Sequence, residues 1–489
     1  MSLGNFIKRL QDIMRNDAGI NGDAQRIEQI TWILFLKIYD AKESEWEIDD
    51  DNYRSIMPTN LRYSNWAIDK KDGKALTGDE LLNFVNNELF VTLKNITITP
   101  QTTTRQAIVK KAFEDNNNYM KDGVLLRQVI NVINELNFEN FKERHAFGEI
   151  YETILKSLQS AGNAGEFYTP RAVTDFMAKM IKPKIGERVA DFACGTGGFL
   201  TSALKELDSQ IQTADEREIY KDSVYGIEKK ALPFLLSATN LLLHDIDNPQ
   251  IYHDNALEKD IRDYAPEDKF DVILMNPPYG GSEKDNIKSN FPIELRSSET
   301  ADLFMNVIMA RLKFKGRAAV ILPDGFLFGT DNAKVAIKTK LLNEFNLHTI
   351  VRLPRSVFAP YTSITTNILF FNTSEPTNKI WFYRLDMPEG QKNFSKTKPM
   401  KLEHFTPVIS WWNNREEINI DGFDKSKCFT INEIKERNYS LDLCGFPSES
   451  EEVKDPFVLI AEYQKHRAEL NTSIDDTISK VLEILNQKA

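Results

Sequence analysis

Hydrophobic patterning predicts an α/β chain built on a Rossmann-like, doubly wound sheet, with a helical domain before it and a helical extension after it. Three observations carry that expectation. Between about residues 166 and 375, short apolar runs alternate with amphipathic stretches, as they do where parallel strands are joined by crossover helices. A glycine-rich turn, Gly195-Thr196-Gly197-Gly198, leads from one such run into a helix. Polar residues gather at the ends of the apolar runs, where open α/β sheets hold their ligands.

At 489 residues the chain exceeds one ordinary core, and 41% hydrophobic with 27% charged residues is a globular composition. Four segments are expected: an N-terminal helical domain (1–150), the sheet domain (151–375), an extension packed on it (376–455) and a C-terminal partner-docking helix (456–489). No apolar run reaches membrane-spanning length, and Met1–Leu10 reads as an amphipathic helix without a signal core. Cys194, Cys428 and Cys444 are odd in number and scattered, which argues against a disulfide framework and for the cytoplasm. The six histidines share no ligand spacing with the cysteines, so no metal site is expected.

Within 1–150, the stretches Gln25–Tyr39 and Gly123–Leu136 carry apolar residues at helical spacing. Glu149–Leu158 reads as a linking helix, and Gln159–Gly165 as a loop of small residues. Strand Arg188–Ala193 then precedes helix Phe199–Leu207, and strand Val224–Glu228 precedes helix Ala231–Leu243. Strands Ile251–Ala256 and Phe270–Met275 follow, then helix Ala301–Leu312, strand Ala318–Pro323 and helix Ala333–Phe345. Strands Thr349–Leu353 and Thr365–Phe371 complete the sheet, expected to be parallel. Past 376 the periodicity blurs, until Phe457, Ile460, Tyr463, Ile474, Ile478 and Val481 recur at helical spacing.

The chemistry lies at the strand ends. Asp191 closes the first strand, and Gly195, Thr196, Gly197 and Gly198 let a ligand lie against backbone ahead of a helix N-terminus. The turn is not GxGxxG, and no Lys-Ser/Thr follows it, so it suits a nucleoside joined to an amino acid rather than a phosphate. Glu228 stands where a doubly wound sheet places its ribose acceptor. Asp254 and Asn255 end the third strand and suit an adenine edge.

Behind Phe270–Met275 comes Asn276-Pro277-Pro278-Tyr279. Asn-Pro-Pro alone is also a common strand-ending turn. Here it combines a side-chain amide, a proline-locked carbonyl and an aromatic ring, the parts needed to hold a planar ring and pull on its amino hydrogens. Gly280–Asp285 and Phe358–Ser363 are candidate loops for gripping an extruded base, with Phe358 or Tyr361 beside the pocket.

The run Asp191–Phe199 followed by Asn276–Tyr279 resembles the S-adenosylmethionine-dependent N6-adenine DNA methyltransferases. Gly165–Arg171 is similar to the cofactor-binding segment found upstream in one order-class of those enzymes, and the whole chain looks most like the modification subunit of type I restriction–modification systems. The resemblance implies S-adenosyl-L-methionine as cofactor, held by Glu166, Phe167, Tyr168, Thr169, Pro170 and Arg171 together with Asp191, Gly195 to Gly198, Glu228 and Asp254. It implies that Asn276 to Tyr279 hold the target base. The implied partners are DNA, reached mainly through a separate specificity subunit, a second modification subunit and a restriction/motor subunit.

A net charge of −11 fits a chain that binds duplex DNA weakly by itself. The absence of a phosphate-loop Lys-Ser/Thr puts motor chemistry on another chain. Two other readings stay open from residues alone. Asn-Pro-Pro-Tyr also serves methylation of a protein glutamine amide, and a non-catalytic assembly scaffold is the third.

Overall fold

The computed structural model describes residues 3–69, 75–136, 151–154, 156, 168–395, 397–447 and 456–486. The linking segment and the small-residue loop lie mostly outside these residues, as do Glu166 and Phe167. The chain divides into two units, Met1–Gly445 and Phe446–Ala489.

In the first unit, helices Leu3–Met14, Gly22–Asp49, Thr104–Phe113 and Gly123–Asn134 frame the N-terminal region. Two of their starts are fixed by side chains. Thr103 and Gln106 form a reciprocal capping box, and Asp122 accepts from the N–H groups of Val124 and Leu125. Helix Gly22–Asp49 is buried around most of its girth, and Trp32 meets Phe90 with ring centroids 5.1 Å apart.

Among the described residues the sheet has ten strands: β1 (Val189–Asp191), β2 (Val224–Glu228), β3 (Gln250–His253), β4 (Phe270–Met275), β5 (Leu312–Pro323), β6 (Asn346–Arg352), β7 (Thr366–Asn372), β8 (Lys379–Arg384), β9 (Ile418–Ile420) and β10 (Phe423–Thr430). Their spatial order is β3-β2-β1-β4-β5-β7-β6-β8-β10-β9. The half from β3 to β5 is parallel throughout, with helices Gly198–Asp208, Ala231–Leu243 and Thr300–Arg311 as crossovers. The inner strands β1, β2 and β4 are buried on both faces, as that arrangement requires.

The other half departs from the parallel expectation. β7 enters between β5 and β6 and runs antiparallel to both. The link from β6 to β7, residues 353–365, contains no helix. A chain without a crossover helix returns as a hairpin partner and not as a parallel strand. β5 starts at Leu312 instead of Ala318, with a register shift against β4 between Phe270 and Val272. Residues past 376, where the periodicity blurs, supply β8, β10 and β9 to the same sheet. The tryptophans there are packed, with Tyr383 and Trp411 centroids 4.8 Å apart.

Among the described residues, the second unit holds one helix, Pro456–Asn486. Phe457, Ile460, Tyr463, Leu470, Ile474, Ile478 and Val481 are exposed along it.

Candidate active site

β1 ends at Asp191, and the chain turns through Phe192–Gly197 into helix Gly198–Asp208. The turn is left-handed at Gly195 (φ 55°) and Gly197 (φ 76°), a conformation that costs an L residue roughly 1–2 kcal/mol. A third glycine acts from behind. A Cβ on Gly226 of β2 would lie 2.6 Å from Ile251 Cδ1 and 3.0 Å from Cys194 Sγ, so a larger residue there would have to push both side chains aside.

The turn is also fastened by hydrogen bonds. Glu228 accepts the Gly195 N–H on Oε2 at 2.9 Å and the Lys230 N–H on Oε1 at 2.8 Å. Cys194 N–H donates to the Ile227 carbonyl at 3.0 Å, and Asn240 Nδ2 donates to the Thr196 carbonyl at 3.0 Å. Asp254 N–H donates to the Glu228 carbonyl at 3.1 Å, bringing the end of β3 beside that of β2.

Two buried acids face this turn. Burial pushes the Asp191 carboxyl well above the usual carboxylate range; the Ala193 N–H opposes that and the Glu228 charge adds to it. Burial raises Glu228 too, against the backbone N–H groups it accepts. The Cys194 thiol is pushed up by burial and then by the two acids, which makes it a poor nucleophile.

β4 runs parallel to β1, with Val189 opposite Val272 and Ala190 opposite Ile273. Adjacent parallel strands end on one side of a sheet, so Asn276-Pro277-Pro278-Tyr279 emerges next to the glycine turn. Asn276 donates from Nδ2 to Thr169 Oγ1 at 3.1 Å. Its Oδ1 is buried and has no hydrogen-bond partner. Burial raises the Tyr279 phenol, and the Asn276 side chain opposes that rise.

One cleft joins these parts. Tyr168, Thr169, Asp191, Gly195, Thr196, Gly198, Glu228 and Asp254 line it together with Asn276, Pro277, Pro278 and Tyr279. Three anticipated residues are placed off its wall. Gly197 serves the turn, and Pro170 starts helix Arg171–Ile181. The Arg171 guanidinium is spent inside the protein: it donates to the Gly198 carbonyl at 2.8 Å, to Thr201 Oγ1 and to Glu152. Its role is to clamp one helix to the first turn of another.

Phe358 and Tyr361 line the cleft, as does Glu283 of the candidate loop Gly280–Asp285, and so do Thr300 and Phe304, which the sequence reading missed. Thr300 reaches it because its N–H donates to the Gly281 carbonyl at 3.1 Å, drawing the helix start to the loop after Tyr279. Phe304 has the spacing of an ordinary core residue, and no local signal sets it apart.

Known proteins share this sequence and architecture. Residues 142–455 match the family described as N-6 DNA Methylase, and residues 3–133 match the HsdM N-terminal domain. The chain is 50% identical over 475 residues to the type I restriction enzyme EcoEI methylase subunit of Escherichia coli, covering 96% of each chain. It is similar to the crystal structure of a modification subunit of a putative type I restriction enzyme from Vibrio vulnificus YJ016, with a TM-score of 0.76 and 40% identity over 88% of this chain and 92% of that one. A structure of a type I R-M system described for its complex assembly gives a TM-score of 0.80 and 35% identity over 98% of both chains.

Among the described residues no helix is long and apolar enough to cross a membrane. These likenesses do not favour the glutamine-methylating and scaffold readings. With both halves of the chain matched, it belongs to the N-6 DNA methylase family as a type I modification subunit, an adenine-specific DNA methyltransferase that works in a complex.

Proposed function

We propose that the cleft takes S-adenosyl-L-methionine against the glycine turn and an adenine lifted out of the duplex against Asn276–Tyr279. The observation that carries this reading is Asn276 Oδ1, a buried acceptor with no partner in a side chain that lines the cleft. A buried polar atom left unpaired costs roughly 1–3 kcal/mol, and an adenine amino hydrogen supplies the missing donor.

The residues on the other side suit the cofactor. Gly195, Thr196 and Gly198 offer close backbone, and Tyr168, Asp191, Glu228 and Asp254 offer an aromatic face and carboxyl oxygens. When bound, S-adenosylmethionine supplies an electrophilic methyl group on a sulfonium. Pro170 and Arg171 then act through the shape of the segment and not by contact.

The N6 lone pair is delocalised into the purine, so the amine is a weak nucleophile. Asn276 Oδ1 and the Pro277 carbonyl accept its two hydrogens and favour a pyramidal nitrogen with a localised pair, a preorganised field for the transition state. Tyr279 stacks on the ring. The nitrogen attacks before its proton leaves, so no strong general base is required. N6 lies inside the duplex stack, so the base must be extruded to reach this side of the cleft.

Binding partners follow the type I kinship: a specificity subunit that selects the DNA site, a second copy of this chain, and a restriction/motor subunit, all in the cytoplasm. The apolar row on helix Pro456–Asn486 supports its reading as a docking element, since a row of this kind gains by burial against a partner helix.

Asn276→Ala in the assembled complex tests the site. Methyl transfer to DNA is expected to be lost while titrated cofactor still binds, and retained turnover overturns the assignment.

A further inference from the structure

An asparagine amide is nearly symmetric in shape and opposite in chemistry at its two ends. Half a turn about its last bond exchanges the carbonyl oxygen for an N–H donor. A free N–H facing an adenine amino group would set donor against donor, so the site of the proposed function works in one orientation only.

In the structure Asn276 takes that orientation. Nδ2 donates to Thr169 Oγ1 at 3.1 Å, and Oδ1 is the end left without a partner.

Thr169 is itself held on a fixed frame. Tyr168 before it is buried, Pro170 after it begins helix Arg171–Ile181, and Arg171 ties that helix to the Gly198 carbonyl. Because the frame grips the glycine turn, a hydroxyl standing 107 positions before Asn276 keeps constant register with it.

We infer that Thr169 is a positioning residue for methyl transfer: its hydroxyl oxygen holds the Asn276 amide by Nδ2 and so keeps Oδ1 turned to the adenine amino group. The inference rests on the acceptor role of Asn276 and assigns Thr169 a duty distinct from cofactor contact. Losing the tether frees the amide to rotate and removes none of the groups assigned above to the cofactor side.

The test uses the assembled complex and compares Thr169→Val, Thr169→Ser, Asn276→Ala and the Thr169→Val/Asn276→Ala double variant. Single-turnover methyl transfer is measured at saturating S-adenosylmethionine, alongside a cofactor titration. Thr169→Val is expected to slow transfer on the order of tenfold to a hundredfold, the scale of a misplaced catalytic group, with cofactor affinity unchanged. Retained affinity also certifies the fold. Thr169→Ser, which restores the hydroxyl, is expected to recover most of the rate, and Thr169→Val is expected to add nothing in the Asn276→Ala background.

A Thr169→Val enzyme as fast as wild type overturns the inference, as does one that merely binds cofactor more weakly and transfers normally at saturation. Normal turnover by Asn276→Ala removes the underlying reading instead, whatever Thr169→Val does.

Discussion

Lys42 Nζ and Asp245 Oδ1 meet at 2.8 Å, joining helix Gly22–Asp49 to the turn that closes helix Ala231–Leu243. Asp247 lies 3.3 Å and Glu45 3.2 Å from the same ammonium group, whose side chain is only 7% exposed. Helix Ala231–Leu243 carries Asn240, which holds the Thr196 carbonyl, so the N-terminal helices brace the layer that backs the glycine turn.

Lys42→Met removes the cation and leaves Asp245 and Asp247 facing each other. The expected loss of stability is about 1–3 kcal/mol, kept below the figure for a fully buried pair because Asp245 is half exposed. Denaturant unfolding of the variant measures it, and a midpoint equal to wild type refutes the brace.

Asp191 gives the ligand-free chain a pH dependence of definite sign. Its folded pKa is raised, chiefly by burial, so its contribution is complete below the ordinary aspartate value of about 4. As pH climbs past that value the unfolded chain releases the proton first, and stability falls until the raised folded pKa is passed. Glu228, raised in the same direction, adds a slope of the same sign. Asp191→Asn is therefore expected to flatten the profile of Tm against pH and to raise Tm at neutral pH. A variant profile parallel to wild type contradicts this account.

Tyr279 is expected to act through its ring and not its hydroxyl. Stacking of a base on an aromatic side chain is worth about 1–3 kcal/mol, so Tyr279→Ala should lower kcat/KM for DNA by roughly tenfold to a hundredfold. Tyr279→Phe and Tyr279→Trp keep a stacking face and should retain most of the activity, with cofactor affinity unchanged in all three. Equal losses in Tyr279→Ala and Tyr279→Phe would assign the function to the hydroxyl.

The parallel half of the sheet was legible because its strands are apolar runs set off by glycine, acid and proline at their ends. β2 and β4 begin and end where the pattern places them, and helix Ala231–Leu243 spans the expected residues. The reversal of β7 was not legible, since an apolar run such as Thr366–Asn372 reads the same in either direction and only the unhelical link before it decides. β10 escaped because Asp424, Lys425 and Lys427 break its alternation on half-exposed positions. At the site, residues with a local signature came together. The resemblance set Arg171 among the cofactor contacts, and sequence does not reveal that Glu152 and the Gly198 carbonyl take up its guanidinium. The Thr169–Asn276 bond joins distant positions and leaves no periodic trace.

That bond also limits how the enzyme can be taken apart. A fragment opening just ahead of β1 would keep every strand of the sheet and every proline of the base-side turn, yet its pocket would stand with one jamb missing. Portability of the chemistry between scaffolds thus depends on a short leader that no sheet diagram would include, and swapping strands alone would carry over the hinge without the latch.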